Sequence, residues 1–214
     1  INGVLAVRNP TDWITTAGAD EEENDSLGLR IQNQFSAVGH YHIDAVYRGM
    51  LASVAGVRSD HLFFEHDAPR GPGTANAYLL MEQGATPSTL LTQLNDYVGR
   101  QGYHGHGDDL QVMALPETQH SLHLALWPKP NLEADELAAI KTQAEQMVRA
   151  AFRETANYPD VTRTWPQSRF SLSMLAKEIH EALPQLLSLQ FSETDIVSGL
   201  EIPRLTAIEV TTHE

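Results

Sequence analysis

The spacing of apolar residues changes abruptly past the middle of the chain. Over residues 122–126 every second residue is leucine, which is the alternation of a strand with one buried face. Over residues 133–152 apolar residues recur at every third or fourth position, and this spacing predicts a long helix with one buried stripe. A strand and a long helix so close in the chain bury their apolar faces by packing in layers. The pattern therefore favours an α+β fold.

Other segments of the chain carry the same two patterns. Predicted helices cover residues 20–37, 43–54, 87–100 and 171–182, and predicted strands cover residues 57–66, 76–82, 110–113, 186–191 and 205–211. The order of these elements predicts two small units, each a mixed or antiparallel sheet packed with helices. The first α+β unit is expected over residues 20–116 and the second over residues 117–214.

Residues 1–19 are expected to form an extended N-terminal segment. A short apolar run is followed there by Asn9 and Pro10, a pair that is typical of turns. The sequence starts at Ile1 and lacks the charged and apolar regions of a signal peptide. We therefore expect this segment to be the remainder of a truncated upstream region.

The first predicted helix has an acidic start and a candidate buried face. Leu27, Ile31 and Phe35 repeat every four residues, a spacing that places side chains on one side of a helix. Acidic residues crowd positions 20–25, where carboxylates oppose the positive end of the helix dipole. This run lacks the ligand spacing and the loop glycine of an EF-hand, so a solvated helix start is favoured over a calcium site.

The charge of the chain narrows the classes of partner. Its 28 acidic and 14 basic residues give a net charge of −14 at pH 7. A field of that sign repels phosphate backbones and anionic lipids, so we expect neither nucleic acid nor a membrane as a partner. No apolar run approaches the roughly 18 residues that a membrane-spanning helix needs. Other proteins are the expected partners.

Ten histidines in a chain without cysteine raise the hypothesis of a metal site with nitrogen and oxygen ligands. The best candidates are His104, His106, Asp108 and Asp109, because imidazoles and carboxylates two residues apart can share an ion. The competing interpretation is a polar loop between a helix and a strand, where glycine and aspartate are typical of turns. We favour the loop, and a metal-dependent hydrolase or oxygenase is the alternative function.

Further motifs that could carry chemistry are incomplete. Four other histidines are surface or interface candidates: His40, His42, His61 and His66. Gly71 and Gly73 lack the third glycine of a dinucleotide-binding fingerprint, because Asn76 stands at its position. Residues 178–181 (Glu-Ile-His-Glu) resemble half of a zinc-protease motif, but Pro184 replaces the second histidine. We therefore predict no catalytic residue, no cofactor and no metal site.

Four short motifs follow one another in the first third of the chain. They are residues 17–20 (Ala-Gly-Ala-Asp), 25–31 (Asp-Ser-Leu-Gly-Leu-Arg-Ile), 54–57 (Val-Ala-Gly-Val) and 71–74 (Gly-Pro-Gly-Thr). In this order they resemble the baseplate J-like family of contractile-tailed phages. Ala55 replaces the proline that is usual in that family, and Gly28 replaces a common arginine or glutamate. The resemblance extends over most of the chain and is weaker beyond Tyr158.

The resemblance implies a structural protein that is not an enzyme. Such a protein connects wedge subunits of a phage-type contractile tail baseplate by protein–protein contacts. Its implied partners are other baseplate wedge and hub proteins and further copies of itself. Its implied location is the virion tail baseplate, after assembly in the cytoplasm of the host bacterium. Trp13, Trp127 and Trp165 are candidate anchors of these contacts, and packing inside their own units is the competing interpretation.

Overall fold

The computed structural model describes residues 23–37, 43–101, 104–105 and 107–213. The helices are α1 (Asn24–Ala37), α2 (Asp44–Ala52), α3 (Ser88–Asn95), α4 (Ala134–Ala151) and α5 (Leu172–Ala182). The strands are β1 (Leu62–Glu65), β2 (Thr74–Leu79), β3 (Asp109–Ala114), β4 (Glu117–Pro128), β5 (Arg169–Phe170), β6 (Leu186–Phe191), β7 (Ile196–Val197) and β8 (Ile202–Thr212). Among the described helices, none is both long and apolar enough to cross a membrane.

The predicted α+β class is confirmed. The strands form three small sheets, of which two are mixed and one is antiparallel. The chain divides into two compact units between His61 and Leu62. The division predicted after residue 116 stays a prediction, and it lies between β3 of the first sheet and β4 of the second.

The first compact unit contains α1, α2 and a 3₁₀ turn at Ser59–His61. The predicted buried face of α1 is wrong for Ile31, which is 48% exposed, and Leu27 is only half-buried. Ser26 is buried instead, so the inner side of α1 is shifted by about one position from the predicted stripe. A repeat of apolar residues over so few turns does not distinguish between neighbouring faces of a helix.

The first sheet has the strand order β1-β2-β3, with β1 antiparallel and β3 parallel to β2. The glycine-containing segment before β2 is a turn into a strand, as predicted. Gly73 has a φ of +78°, and a Cβ atom there would lie 3.0 Å from the carbonyl oxygen of Gly107. Glycine is therefore required at position 73 by both the backbone conformation and the close approach. The N–H of Asp109 donates to the Gly73 carbonyl at 3.0 Å, which places the start of β3 beside this turn.

Helix α3 continues into a π-helical turn at Asp96–Arg100, so helical structure covers most of the predicted segment 87–100. Asn95 lies at the junction and turns its amide toward β3. Its Nδ2 donates to the carbonyl of Val112, and its Oδ1 accepts from the N–H of Val112, both at 2.8 Å. Because β3 is the last strand of its sheet, these bonds occupy part of a sheet edge.

The second sheet has the strand order β6-β4-β8, with β6 antiparallel and β8 parallel to β4. Leu122, Leu124 and Leu126 of β4 are buried, as the alternation predicts. They share one core cluster with apolar residues of α4 and α5. His123, between two of these leucines, lies on the opposite and exposed face of the sheet.

Helix α4 has a defined structure at each end. At its start Glu133 and Glu136 form a capping box, in which the Glu136 carboxylate accepts from the Glu133 N–H at 2.9 Å. At its end the N–H of Arg153 donates to the carbonyl of Ala150, and the next N–H donates to the carbonyl of Arg149, which is a Schellman motif. Arg153 has a φ of +64°, a conformation that glycine usually supplies at this position. An arginine in its place indicates that the side chain has a structural role.

Candidate functional site

The candidate metal ligands that the structure describes interact with other groups of the chain. The Asp109 carboxylate accepts from the Arg70 guanidinium at 2.6 Å, and this hydrogen bond lowers the pKa of Asp109. Nδ1 of His104 lies 2.9 Å from the carbonyl oxygen of Gly105, and His106 lies outside the described residues. Within the described ranges, no group of three or more histidine, aspartate or glutamate side chains could hold a metal ion. This geometry gives the alternative function no support.

The other residues singled out by the sequence lie in different environments. His61 is buried in the first compact unit, and His66 is exposed after β1. Three further candidates lie outside the described residues: His40, His42 and Trp13. Glu178 of the incomplete zinc-protease motif accepts from the N–H of Thr162 at 3.0 Å. That carboxylate therefore fixes a connecting segment.

Two of the candidate tryptophan anchors are half-buried and make aromatic or cationic contacts. The ring of Trp165 meets the ring of Phe63 edge to face at 5.9 Å between centroids, and the Arg153 guanidinium lies over it at 4.9 Å. Trp127 stacks on the ring of His213 at 5.1 Å. These contacts favour the packing interpretation for Trp165, which has apolar and cationic neighbours.

A polar network around Arg70 connects all three strands of the first sheet. The Arg70 guanidinium donates to the carboxylate and the carbonyl of Asp109 in β3 and to Oδ1 of Asn76 in β2. Asn76 is buried, and its Nδ2 donates to Glu65 of β1 at 2.9 Å. Hydrogen bonds from Tyr78 and Asn76 lower the pKa of Glu65. We call these five residues the Arg70 network.

Three arginines contact the segment that follows β2: Arg204 of the second sheet, and Arg153 and Arg163 of the connection between α4 and β5. Arg163 donates to the Glu82 carboxylate at 2.8 Å, and the Arg153 guanidinium lies 4.0 Å from the same carboxylate. Arg204 donates to the carbonyl of Gly84 at 2.6 Å, and the Gly84 N–H donates to the carbonyl of Arg153 at 2.9 Å. We call Arg153, Arg163, Arg204, Glu82 and Gly84 the arginine clamp.

The arginine clamp adjoins an apolar cluster between the two sheets. Leu80, Leu115 and Ile202 are buried in this cluster, and Trp165 packs against it. Arg153 is only 2% exposed, and its Nε donates to the carbonyl of Thr164 at 2.8 Å. Polar and apolar contacts therefore hold the two sheets in one compact body.

A third polar cluster lies on the exposed face of the second sheet. The carboxylate of Glu193 accepts from the backbone N–H of His123 at 3.0 Å and lies 2.7 Å from its ring Nδ1. Glu209 of β8 lies 3.5 Å from Nε2 on the other side of the ring. The hydrogen bond to Glu193 raises the pKa of His123, and the charge of Glu209 acts in the same direction. The protonated ring therefore links β4 to β8 and to the segment after β6.

His123→Gln is expected to reduce stability more in mildly acidic than in mildly alkaline solution. The folded-state pKa is raised above the unfolded value of about 6.5, so the contribution of the charged ring is complete below that value. It is lost as the pH rises through the folded-state pKa. Urea unfolding midpoints of the two proteins at several pH values measure this difference. Glu193→Gln should remove the pH-dependent part of the stability difference. A difference in unfolding midpoint that is constant with pH would contradict the assignment of a raised pKa to His123.

Sequence reasoning missed the Arg70 network and the arginine clamp, although one signal for them was present. Eleven of the 14 basic residues are arginine, since only Lys129, Lys141 and Lys177 are lysines. The guanidinium group presents several donors in a fixed plane and suits clusters that join carboxylates to carbonyls. The composition does not show which arginines are buried.

The fold and these clusters define an α+β protein whose polar groups join elements of secondary structure. The chain is a homologue of a protein of Haemophilus phage HP1 (strain HP1c1) named "Putative baseplate protein gp29", with 51% identity over 168 residues. The match covers 78% of this chain and 42% of the relative, so the chain spans less than half of the relative's length. No family model matches the chain.

Proposed function

We propose that this chain is part of a structural, non-enzymatic protein of a phage-type contractile tail baseplate. The observation that carries the proposal is its 51% identity over 168 residues with the protein of phage HP1, whose name places that relative in a baseplate. The Arg70 network and the arginine clamp support a structural role, because their charged groups form fixed connections between distant segments of the chain.

The finer part of the proposal concerns the place of the protein in the baseplate. The order of the motifs at residues 17–20, 25–31, 54–57 and 71–74 supports membership of the baseplate J-like family. In that role the protein connects wedge subunits, and its partners are other wedge and hub proteins and further copies of itself. It then resides in the tail baseplate of the virion and is assembled in the cytoplasm of the host bacterium.

Removing the gene from a phage that encodes the full-length protein tests the proposed role. We expect tails without complete baseplates and a loss of infectious particles, and a copy supplied in trans should restore both. Antibody labelling of wild-type particles should mark the distal end of the tail. Purified infectious particles that lack the protein would overturn the proposal.

The wedge assignment has a separate test. The full-length protein, mixed with the products of adjacent tail genes, is expected to form complexes that co-elute in size-exclusion chromatography. A strictly monomeric protein that binds none of them would contradict the wedge assignment, even if the protein is found in the particle.

A further inference from the structure

An apolar groove lies where β4 and β8 end beside the start of α4. Its volume is about 710 Å³. Nine residues line it: Pro128, Lys129, Pro130, Asn131, Leu132, Leu137, Leu187, Thr212 and His213. The stack of Trp127 on His213 adjoins it, so an indole ring lies next to the lining.

The architecture explains some of the apolar residues in the groove but not all. Leu132 and Leu137 precede and follow the N-cap of α4 at the positions of a hydrophobic staple, which fixes the entry of the chain into the helix. Leu187 has no such role. It occupies the extra position where the pairing of β6 with β4 shifts its register, and it is 61% exposed. A large exposed apolar side chain beside a preformed groove is typical of a binding surface.

The charge beside the groove is negative. Glu133 is the exposed N-cap of α4, Asp135 and Glu136 are exposed in its first turn, and the lining residue Leu137 follows them in the chain. Lys129 is the exposed cation in the lining. Residues 129–137 thus carry three carboxylates and one ammonium group, a balance that attracts a cationic ligand, and the net charge of −14 on the whole chain adds to that attraction.

We propose that this groove binds a short segment of another tail protein, in which an apolar side chain is flanked by lysine or arginine. The inference rests on the proposed function, which supplies the class of partner. The size of the groove favours a short segment, because its nine lining residues are far fewer than the roughly 20–30 per side of a stable protein–protein interface. The negative charge disfavours a second copy of this acidic chain as the occupant.

The probes for this site are overlapping synthetic peptides that span the other tail proteins of the same phage. Binding to the 214-residue chain is followed by peptide fluorescence anisotropy and by the emission of Trp127 next to the groove. We expect the binding peptides to combine an apolar residue with neighbouring lysine or arginine. Leu187→Gln should weaken their binding about tenfold. Val197→Gln is the matched control, because Val197 is 72% exposed on β7 and should not affect binding.

A charge reversal tests the electrostatic part of the proposal. Asp135→Lys should weaken binding of the same peptides, whereas Asp160→Lys, at an exposed position outside the groove lining in the connection after α4, should change it less. Added salt should weaken binding to the wild-type chain and have a smaller effect on the Asp135 variant. Urea unfolding of each variant separates an effect on binding from an effect on folding.

Several outcomes would overturn the groove assignment while leaving the proposed function intact. One is that the peptides that bind are acidic. Another is that Leu187→Gln and Val197→Gln affect peptide binding equally. A third is that the only peptides that bind come from the remainder of the full-length protein. Dimerisation of the chain that Leu187→Gln abolishes would assign the groove to a second copy. A baseplate that contains the protein, with no peptide bound at the groove, would likewise refute only this inference.

Discussion

Arg153→Ala is expected to lower the free energy of unfolding by about 3 kcal/mol. The substitution removes a long side chain that is 2% exposed and leaves a cavity beside the ring of Trp165. It also leaves the carbonyl of Thr164 without the donor Nε, at a residue that is fully buried. Chemical denaturation followed by circular dichroism measures the change.

Arg153→Gly separates the side chain from the backbone conformation. Because glycine adopts positive φ without strain, we expect it to be less destabilising than alanine by about 1 kcal/mol, yet still less stable than wild type. Arg149→Ala is the matched control one turn earlier, because Arg149 makes partly exposed ion pairs with Glu145 and Glu154 that contribute less than about 1 kcal/mol. A glycine variant more stable than wild type would show that the arginine clamp contributes little.

Arg70→Ala is expected to lower the free energy of unfolding by about 2 kcal/mol, mainly because Oδ1 of the buried Asn76 loses its donor. The carboxylate and carbonyl of Asp109 lose their bonds as well, but their exposure to water limits that cost. Hydrogen exchange should show the largest increase at the amide of Asp109, which bonds to the turn before β2.

Arg100→Ala is the control for the Arg70 prediction. Arg100 pairs with Asp96 four residues earlier, and its side chain is 86% exposed, so we expect a change of less than about 0.5 kcal/mol. Equal effects of the two substitutions would contradict the assignment of a stabilising role to the Arg70 network.

Local patterns were sufficient to predict most elements of the fold. The leucine alternation and the apolar stripe placed β4 and α4 close to their observed positions, because each pattern depends only on neighbours in the chain. The two-residue strands β5 and β7 are too short to leave such a pattern. The inner face of α1 was placed wrongly because a serine takes a buried position there.

The candidate site was less accessible to sequence reasoning because its contacts join distant parts of the chain. Arg163 and Glu82 are 81 residues apart, and Arg204 and Gly84 are 120 residues apart. The parallel pairing of β4 with β8 places Arg204 opposite Gln119, and no local signal specifies that register. The prediction that Asp109 is a loop residue rather than a metal ligand depended on turn chemistry, whereas the structure shows Arg70 as its partner.

The bonds of Asn95 to Val112 have a consequence for aggregation of the protein. A free strand edge can recruit the same edge of a neighbouring molecule and start a growing aggregate. Here a helix side chain already occupies both main-chain groups of one residue on that edge. Val112 is therefore unable to pair with a strand of a second molecule while these bonds persist, which makes this edge a poorer template for fibrils.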